Sequence, residues 1–73
     1  MMSKYFQLDR KNIVAVQFII EGYEGLATVT TIDAAVAVIQ ISIMPDFLRE
    51  MNCLLDELSK KYHMKELVDD RIR

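Results

Sequence analysis

Between Leu26 and Met44, the pattern of hydrophobic and polar positions shows two adjoining runs of strand-forming residues. The first run, 26–32, is rich in Thr, Val and Ile, whose branched side chains suit a pleated sheet. In the second run, 36–44, one face carries only aliphatic side chains: Ala37, Ile39, Ile41 and Ile43. We therefore predict an antiparallel β-hairpin, joined by a turn at 33–35, whose aliphatic face is covered by helices.

The residues that follow Met44 give the clearest helical pattern in the chain. Pro45 and Asp46 are typical of a first helical turn. Apolar residues then recur every three or four positions: Phe47, Leu48, Met51, Leu54, Leu55, Leu58 and Tyr62. This spacing predicts an amphipathic helix with one face on the sheet and the other in solvent.

Residues 10–21 are open to two interpretations, because they include Ile13, Val14, Val16, Ile19 and Ile20, all of which prefer strands. Their polar positions nevertheless cluster as a helix would place them, since Arg10, Gln17, Glu21 and Glu24 fall within about 60° of a helical wheel. We predict a helix, and the alternative is a strand over 13–20 that pairs with the hairpin. Such a helix would be apolar around most of its circumference and would need to be covered on more than one side.

The order of elements predicts the fold class. Residues 5–8 form a short β-prone run, preceded by residues 1–4, which we expect to be mobile. Strand, helix, strand, strand and helix then follow one another, as in an α+β sandwich of ferredoxin-like topology whose last strand is truncated or supplied by the tail, 65–73. That tail is left open as a helix extension, an edge strand or a flexible segment that docks on a partner. An exposed sheet edge favours pairing with a second copy.

Composition narrows the class of protein. The 73 residues form a single domain that buries only roughly 60% of its unfolded surface, and 52% of them are hydrophobic, which favours a homodimer or higher homo-oligomer. The formal charge of −2 argues against nucleic-acid binding. One cysteine, Cys53, fits a reducing compartment, and the apolar run 13–20 is far shorter than the ~20 residues that span a bilayer. We therefore expect a cytoplasmic protein without membrane contact.

One loop has the character of a binding site. Glu21, Gly22, Tyr23, Glu24 and Gly25 place two carboxylates and a phenol around the only glycines of the chain. This loop is our candidate ligand-binding site, and the alternative is a helix end and turn whose charges are merely solvated.

Other chemistry is not indicated by the spacing of residues. Cys53 and His63 lie ten residues apart, hence about 15 Å along a helix, so they cannot share one metal ion within a chain. A lone cysteine is more often a packing residue than a ligand. No phosphate loop, catalytic triad or Cys-x-x-Cys pair is present in the sequence. We therefore expect no metal, no cofactor and no enzymatic activity.

Two resemblances add to this picture. The stretches Leu8-Asp-Arg-Lys11 and 18–33 resemble a family of short, uncharacterised bacterial proteins, a domain of unknown function that implies no catalytic residue. The order of elements also resembles ACT-type regulatory domains, which are small, often dimeric and commonly bind amino acids. The Asp-Arg-x-Gly loop typical of ACT ligand sites is not found, since Asp9-Arg10 is followed by Lys11-Asn12.

These observations predict a small non-catalytic interaction or assembly module that forms homo-oligomers. The alternative is an ACT-like regulatory domain that binds a small metabolite between subunits, near 21–25 and the tip of the hairpin.

Overall fold

A computed structural model describes residues 2–23 and 25–67 of the chain. Its elements, in chain order, are β1 (Met2–Gln7), a 3₁₀ turn (Arg10–Asn12) leading into α1 (Ile13–Glu21), β2 (Ala27–Asp33), β3 (Val38–Ile43), a second 3₁₀ turn (Pro45–Phe47) leading into α2 (Leu48–Tyr62), and β4 (Lys65–Leu67). The strands form one antiparallel sheet in the order β2-β3-β1-β4. The architecture is therefore α+β, as predicted.

The prediction of a helix over residues 10–21 is confirmed, and the alternative strand is wrong. Ile13, Val16 and Ile20 recur at helical spacing and are all buried. The strand preference of these branched residues is overridden because one face of a helix buries all three against the sheet.

The hydrophobic core lies between the two helices and one face of the sheet. The aliphatic face predicted for β3 is confirmed, since Ile39, Ile41 and Ile43 are completely buried. From α2, Met51, Leu55 and Leu58 join the same core, whereas Leu54 is only half-buried. The core face of the hairpin and the apolar face of α2 were thus both readable from the spacing of residues.

The N-terminal end of the described chain differs from the prediction, whereas the start of the tail takes one of the forms that the sequence left open, an edge strand. The expectation that residues 1–4 are mobile is wrong for Met2, Ser3 and Lys4, which pair with β3. Hydrogen bonding to a neighbouring strand orders them, although their own side chains give no strong strand pattern. From the tail, Lys65–Leu67 forms the short edge strand β4 beside β1, while 68–73 lies outside the described residues.

The turn between β2 and β3 is made without glycine. The Asp33 carboxylate accepts a hydrogen bond from the Ala35 N–H at 2.9 Å, and the register shifts between Thr31 and Asp33. Ala37 takes a left-handed backbone conformation with φ of 56°, which is costly for a residue with a Cβ. Because the turn continues to Ala37, β3 begins at Val38, two residues later than the sequence pattern predicts.

Candidate functional site

The loop that the sequence singles out is a helix end followed by a turn. Gly22 ends α1, and its N–H donates to the Phe18 carbonyl at 3.0 Å. Gly25 has φ of +66°, a conformation that favours glycine. Tyr23 is 40% exposed, and Glu24 lies outside the described residues. The structure thus gives each described residue of the loop a local position and leaves the prediction of ligand binding open.

Glu21 has a tertiary role that its sequence position does not reveal. Its Oε2 accepts a hydrogen bond from the backbone N–H of Val29 in β2, at 3.1 Å. Because β2 is an edge strand, this N–H points away from β3 and would otherwise be available to another chain. The carboxylate therefore occupies part of the sheet edge and ties the end of α1 to it.

Among residues 2–23 and 25–67, the outer face of α1 carries the two most exposed large hydrophobic side chains. Phe18 is 81% exposed and Val14 is 75% exposed, while the opposite side of the same helix is fully packed. The two side chains lie four residues apart and are therefore neighbours on the helix surface. The expectation that α1 is covered on more than one side is not met within a single chain.

Charged residues continue this exposed line at both ends of the helix. Lys11 precedes Val14 by three residues and Glu21 follows Phe18 by three, and both are exposed. We call these four residues, Lys11, Val14, Phe18 and Glu21, the α1 stripe. Beside the stripe, the surface holds a shallow depression of ≈ 270 Å³ lined by Val14, Gln17, Phe18 and Glu21. The stripe therefore combines an apolar centre, a concave surface and one charge of each sign.

A second concave region lies between α2 and the edge formed by β1 and β4. Lys4 Nζ lies 3.7 Å from Glu66 Oε2 there, so a cation projects on the helix side of the sheet. The cavity has a volume of ≈ 170 Å³ and is lined by Lys4, Phe6, Asn52, Leu55, Asp56, Ser59 and Glu66. Sequence reasoning missed this cavity because it left Lys4 outside the sheet.

The two residues considered as metal ligands lie apart from these regions. Cys53 is exposed on α2, so its interpretation as a packing residue is wrong. His63 ends the same helix with φ of 55°. Among residues 2–23 and 25–67, no three His, Cys, Asp or Glu side chains come together as a metal ion would require.

The sheet face opposite the helices carries mainly polar side chains. Gln40 Nε2 donates to Ser3 Oγ at 3.2 Å and to Tyr5 Oη at 3.3 Å. Gln7 Nε2 donates to the Val36 carbonyl at 2.8 Å. These hydrogen bonds link β1 with β3 and with the turn that precedes β3.

Neither helix in the part of the chain that the structure describes has the length and apolar character needed to cross a bilayer. The longer one, α2, has 15 residues.

The four-stranded sheet and the two helices, one of them incompletely covered, define a small α+β protein. A family model, a domain of unknown function (DUF4911), matches residues 6–61. This match spans more than half of the 73 residues, so the chain belongs to that family, which confirms the resemblance to a domain of unknown function. The α1 stripe lies inside the matched region, whereas Lys4 and Glu66 of the cavity lie outside it. No curated protein and no solved structure matches the chain.

Proposed function

We propose that this protein is a small non-catalytic assembly module that self-associates through the α1 stripe. The observation that carries the proposal is the exposure of Phe18 and Val14 on a helix whose other side is fully packed. Exposing a large side chain costs on the order of 1.5–3 kcal/mol relative to burying it. A partner that covers this face therefore gains free energy that the isolated chain leaves unused.

The α1 stripe suits binding better than catalysis. Its single acid and single base, Glu21 and Lys11, lie ten residues apart, about 15 Å along the helix. Groups at this distance cannot act together on one reacting atom, because proton transfer requires hydrogen-bond reach. Val14 and Phe18 between them contribute contact area and no reactive group.

Self-association is tested by sedimentation-velocity centrifugation over a wide range of protein concentration. We expect the wild-type protein to sediment faster as concentration rises, and Phe18→Asp to remain monomeric, because a charge at this position would be desolvated by a partner. Ile32→Asp is the matched control, since Ile32 is also an exposed aliphatic residue, at 41%, but lies on β2. A wild-type protein that stays monomeric at millimolar concentration would overturn the proposal.

The second candidate function is an ACT-like regulatory domain that binds a small metabolite, such as an amino acid, between subunits. It is favoured by the position of the loop 21–25, which begins at the end of the α1 stripe, so a second copy on the stripe would lie beside Gly22 and Tyr23. Ligand binding would raise the melting temperature, because a ligand at a hundredfold excess over its dissociation constant stabilises the folded state by about 2.7 kcal/mol.

A thermal-shift screen against amino acids separates this candidate from the first. Tyr23→Ala should abolish the shift if the ligand lies at the loop, whereas Lys4→Met should abolish it if the ligand lies in the cavity between α2 and β4. If no amino acid raises the melting temperature, the regulatory function is excluded for that class of ligand, and the assembly function stands on its own test.

Two finer points belong to the same proposal. We assign the topology to the ferredoxin-like class, supported by the alternation of strands and helices and by the strand order β2-β3-β1-β4. We also place the protein in the cytoplasm, supported by the exposed free thiol of Cys53, which a reducing compartment preserves. Fluorescence microscopy of a tagged full-length chain tests the location.

A further inference from the structure

We propose that two copies pair their α1 helices antiparallel across a twofold axis, so that Lys11 of each copy meets the partner's Glu21. This inference rests on the proposed self-association and specifies how the two copies face each other. In the same arrangement Val14 of one copy packs against the partner's Phe18. The partner is thus a second copy of this chain, and the interface is isologous.

The spacing of the α1 stripe carries the proposal. Val14 lies two residues before Val16 and Phe18 two residues after it, while Lys11 lies five before and Glu21 five after. An antiparallel pair centred at the level of Val16 therefore brings each residue opposite its counterpart of complementary chemistry. A twofold axis repeats both contacts, so the two stripes of a dimer together form two apolar contacts and two ion pairs.

The opposite orientation is unfavourable for the same surface. In a parallel pair in register, Lys11 would face the partner's Lys11 and Glu21 would face the partner's Glu21. Like charges held close together repel, and the repulsion is strongest where an interface excludes water. Charge therefore selects the antiparallel orientation, while Phe18 and Val14 supply the attraction in both.

The edge of the sheet is a less suitable surface for a second copy. Pairing along β2 would need its outward N–H groups, and the Val29 N–H already donates to Glu21 Oε2 at 3.1 Å. A second strand at this edge would have to displace the carboxylate and leave a charged group without its donor. The free face of α1, in contrast, needs no rearrangement of the chain.

Glu21 then links the interface to the sheet. A carboxylate accepts several hydrogen bonds, so Oε2 can keep the Val29 N–H while Oε1 receives the partner's Lys11. An ion pair from the partner would hold the side chain in place and restrict opening of the Glu21–Val29 hydrogen bond. We therefore expect association to slow hydrogen exchange at the Val29 amide, although this amide lies on β2 and outside the helix pair.

The affinity should be modest. α1 has only nine residues, so a pair of such helices buries less than the roughly 1,600 Å² of a standard interface. We expect a dissociation constant in the micromolar range or weaker, sensitive to ionic strength because its ion pairs lie near the surface.

A charge-reversal series, read by sedimentation equilibrium, tests the orientation. Lys11→Glu should raise the dissociation constant about tenfold, because each antiparallel pair then sets two carboxylates opposite each other, and surface pairs are individually weak. Adding Glu21→Lys to the same chain should restore most of the lost affinity. Lys60→Glu, on the solvent face of α2, is the control and should leave the constant unchanged.

Each outcome of the series decides one point. If the wild-type protein dimerises and Phe18→Asp does not, but Lys11→Glu has no effect, the antiparallel orientation is wrong and the proposed function stands. If Phe18→Asp dimerises as the wild type does, the α1 stripe is not the interface and both proposals fail.

Hydrogen exchange provides a second measurement that does not depend on charge reversal. In the wild-type protein, exchange at the Val29 amide should slow severalfold as concentration rises through the dissociation constant, whereas in Phe18→Asp it should be independent of concentration. If the wild-type protein dimerises but hydrogen exchange at the Val29 amide does not change with protein concentration, the link between Glu21 and the interface is wrong.

Discussion

The two helices cover the same face of one sheet, yet they meet solvent in opposite ways. α2 buries Met51, Leu55 and Leu58 and turns a charged face outward, where Asp56 and Lys60 lie 3.6 Å apart. α1 also buries three apolar residues but exposes Val14 and Phe18 on its outer side. The apolar face of α2 is therefore covered within one chain, whereas α1 has the composition of a helix that is covered on two sides.

The inner and outer faces of the helices therefore need separate explanations. The inner faces of both helices are explained by stability, because each fills the core of a small protein that has little other apolar area to bury. The outer face of α1 adds nothing to that core. Exposed Val14 and Phe18 on one helix, compared with a mainly charged outer face on the other, support the proposed self-association.

The largest expected effect concerns the inner faces, where the helices should behave alike. Leu55→Ala in α2 and Ile20→Ala in α1 should each lower the free energy of unfolding by about 2–5 kcal/mol, because both side chains are buried and their removal leaves a cavity. Leu54→Ala is the control and should cost clearly less, since Leu54 is half-buried. Urea denaturation measures all three, and a loss below about 1 kcal/mol at Leu55 would mean that α2 does not supply the core.

The next effect concerns the outer faces, where the helices should differ. The melting temperature of the wild-type protein should rise with protein concentration, by about 4–8 °C for each ~1 kcal/mol of association free energy. Phe18→Ser on α1 should abolish this dependence, while Cys53→Ser on α2 should retain it, because only the former residue belongs to the apolar stripe. Equal behaviour of the two variants in differential scanning calorimetry would remove the contrast between the faces.

A smaller effect on the free energy of unfolding is expected when one carboxylate is removed from each helix, and the two removals should differ in cost. Glu21→Ala should destabilise the protein by about 1 kcal/mol, because Glu21 holds the Val29 N–H of β2. Asp56→Ala should cost less than about 0.5 kcal/mol, since Asp56 is 72% exposed and pairs only within its own helix. Urea denaturation at low protein concentration measures both without interference from association, and equal costs would argue against a tertiary role for Glu21.

The smallest effect is expected at the ion pair on the solvent face of α2. Lys60→Ala should change the free energy of unfolding by no more than about 0.5 kcal/mol, because a pair spaced four residues apart and largely exposed is well solvated. Urea denaturation measures this change, and in 1 M salt the difference in unfolding free energy between Lys60→Ala and the wild-type protein should become smaller still. A cost above about 1 kcal/mol would show that α2 has an additional contact on this face.

Sequence reasoning succeeded where one residue type or one spacing had a single structural meaning. The aliphatic alternation of β3 and the three-and-four spacing of α2 each allow one buried face, and both predictions are confirmed. It was less successful where neighbouring chain segments decided the outcome. Lys4 lies in β1 because its backbone pairs with β3. The residues around Lys4 show no pattern that predicts this pairing.

Some features of the candidate site could likewise be predicted from the sequence, and others could not. The loop 21–25 could be selected from glycine, carboxylate and aromatic content alone, and its prediction as a ligand site stays open. The exposure of Phe18 could not be predicted, because an apolar helix in a sequence is equally compatible with burial on all sides. The hydrogen bond from Val29 to Glu21 spans eight residues and depends on how the end of α1 meets the sheet edge.

The sequence by itself determined the type and order of most elements, the buried faces of β3 and α2, and membership in a family of unknown function. These properties follow from local periodicity, since a two-residue or 3.6-residue repeat fixes which side chains share a face. Only the tertiary structure decided which side of α1 remains uncovered and that Glu21 occupies the edge of β2. Both depend on where a helix lies against a sheet, and that placement is set by contacts between residues that are distant in the chain.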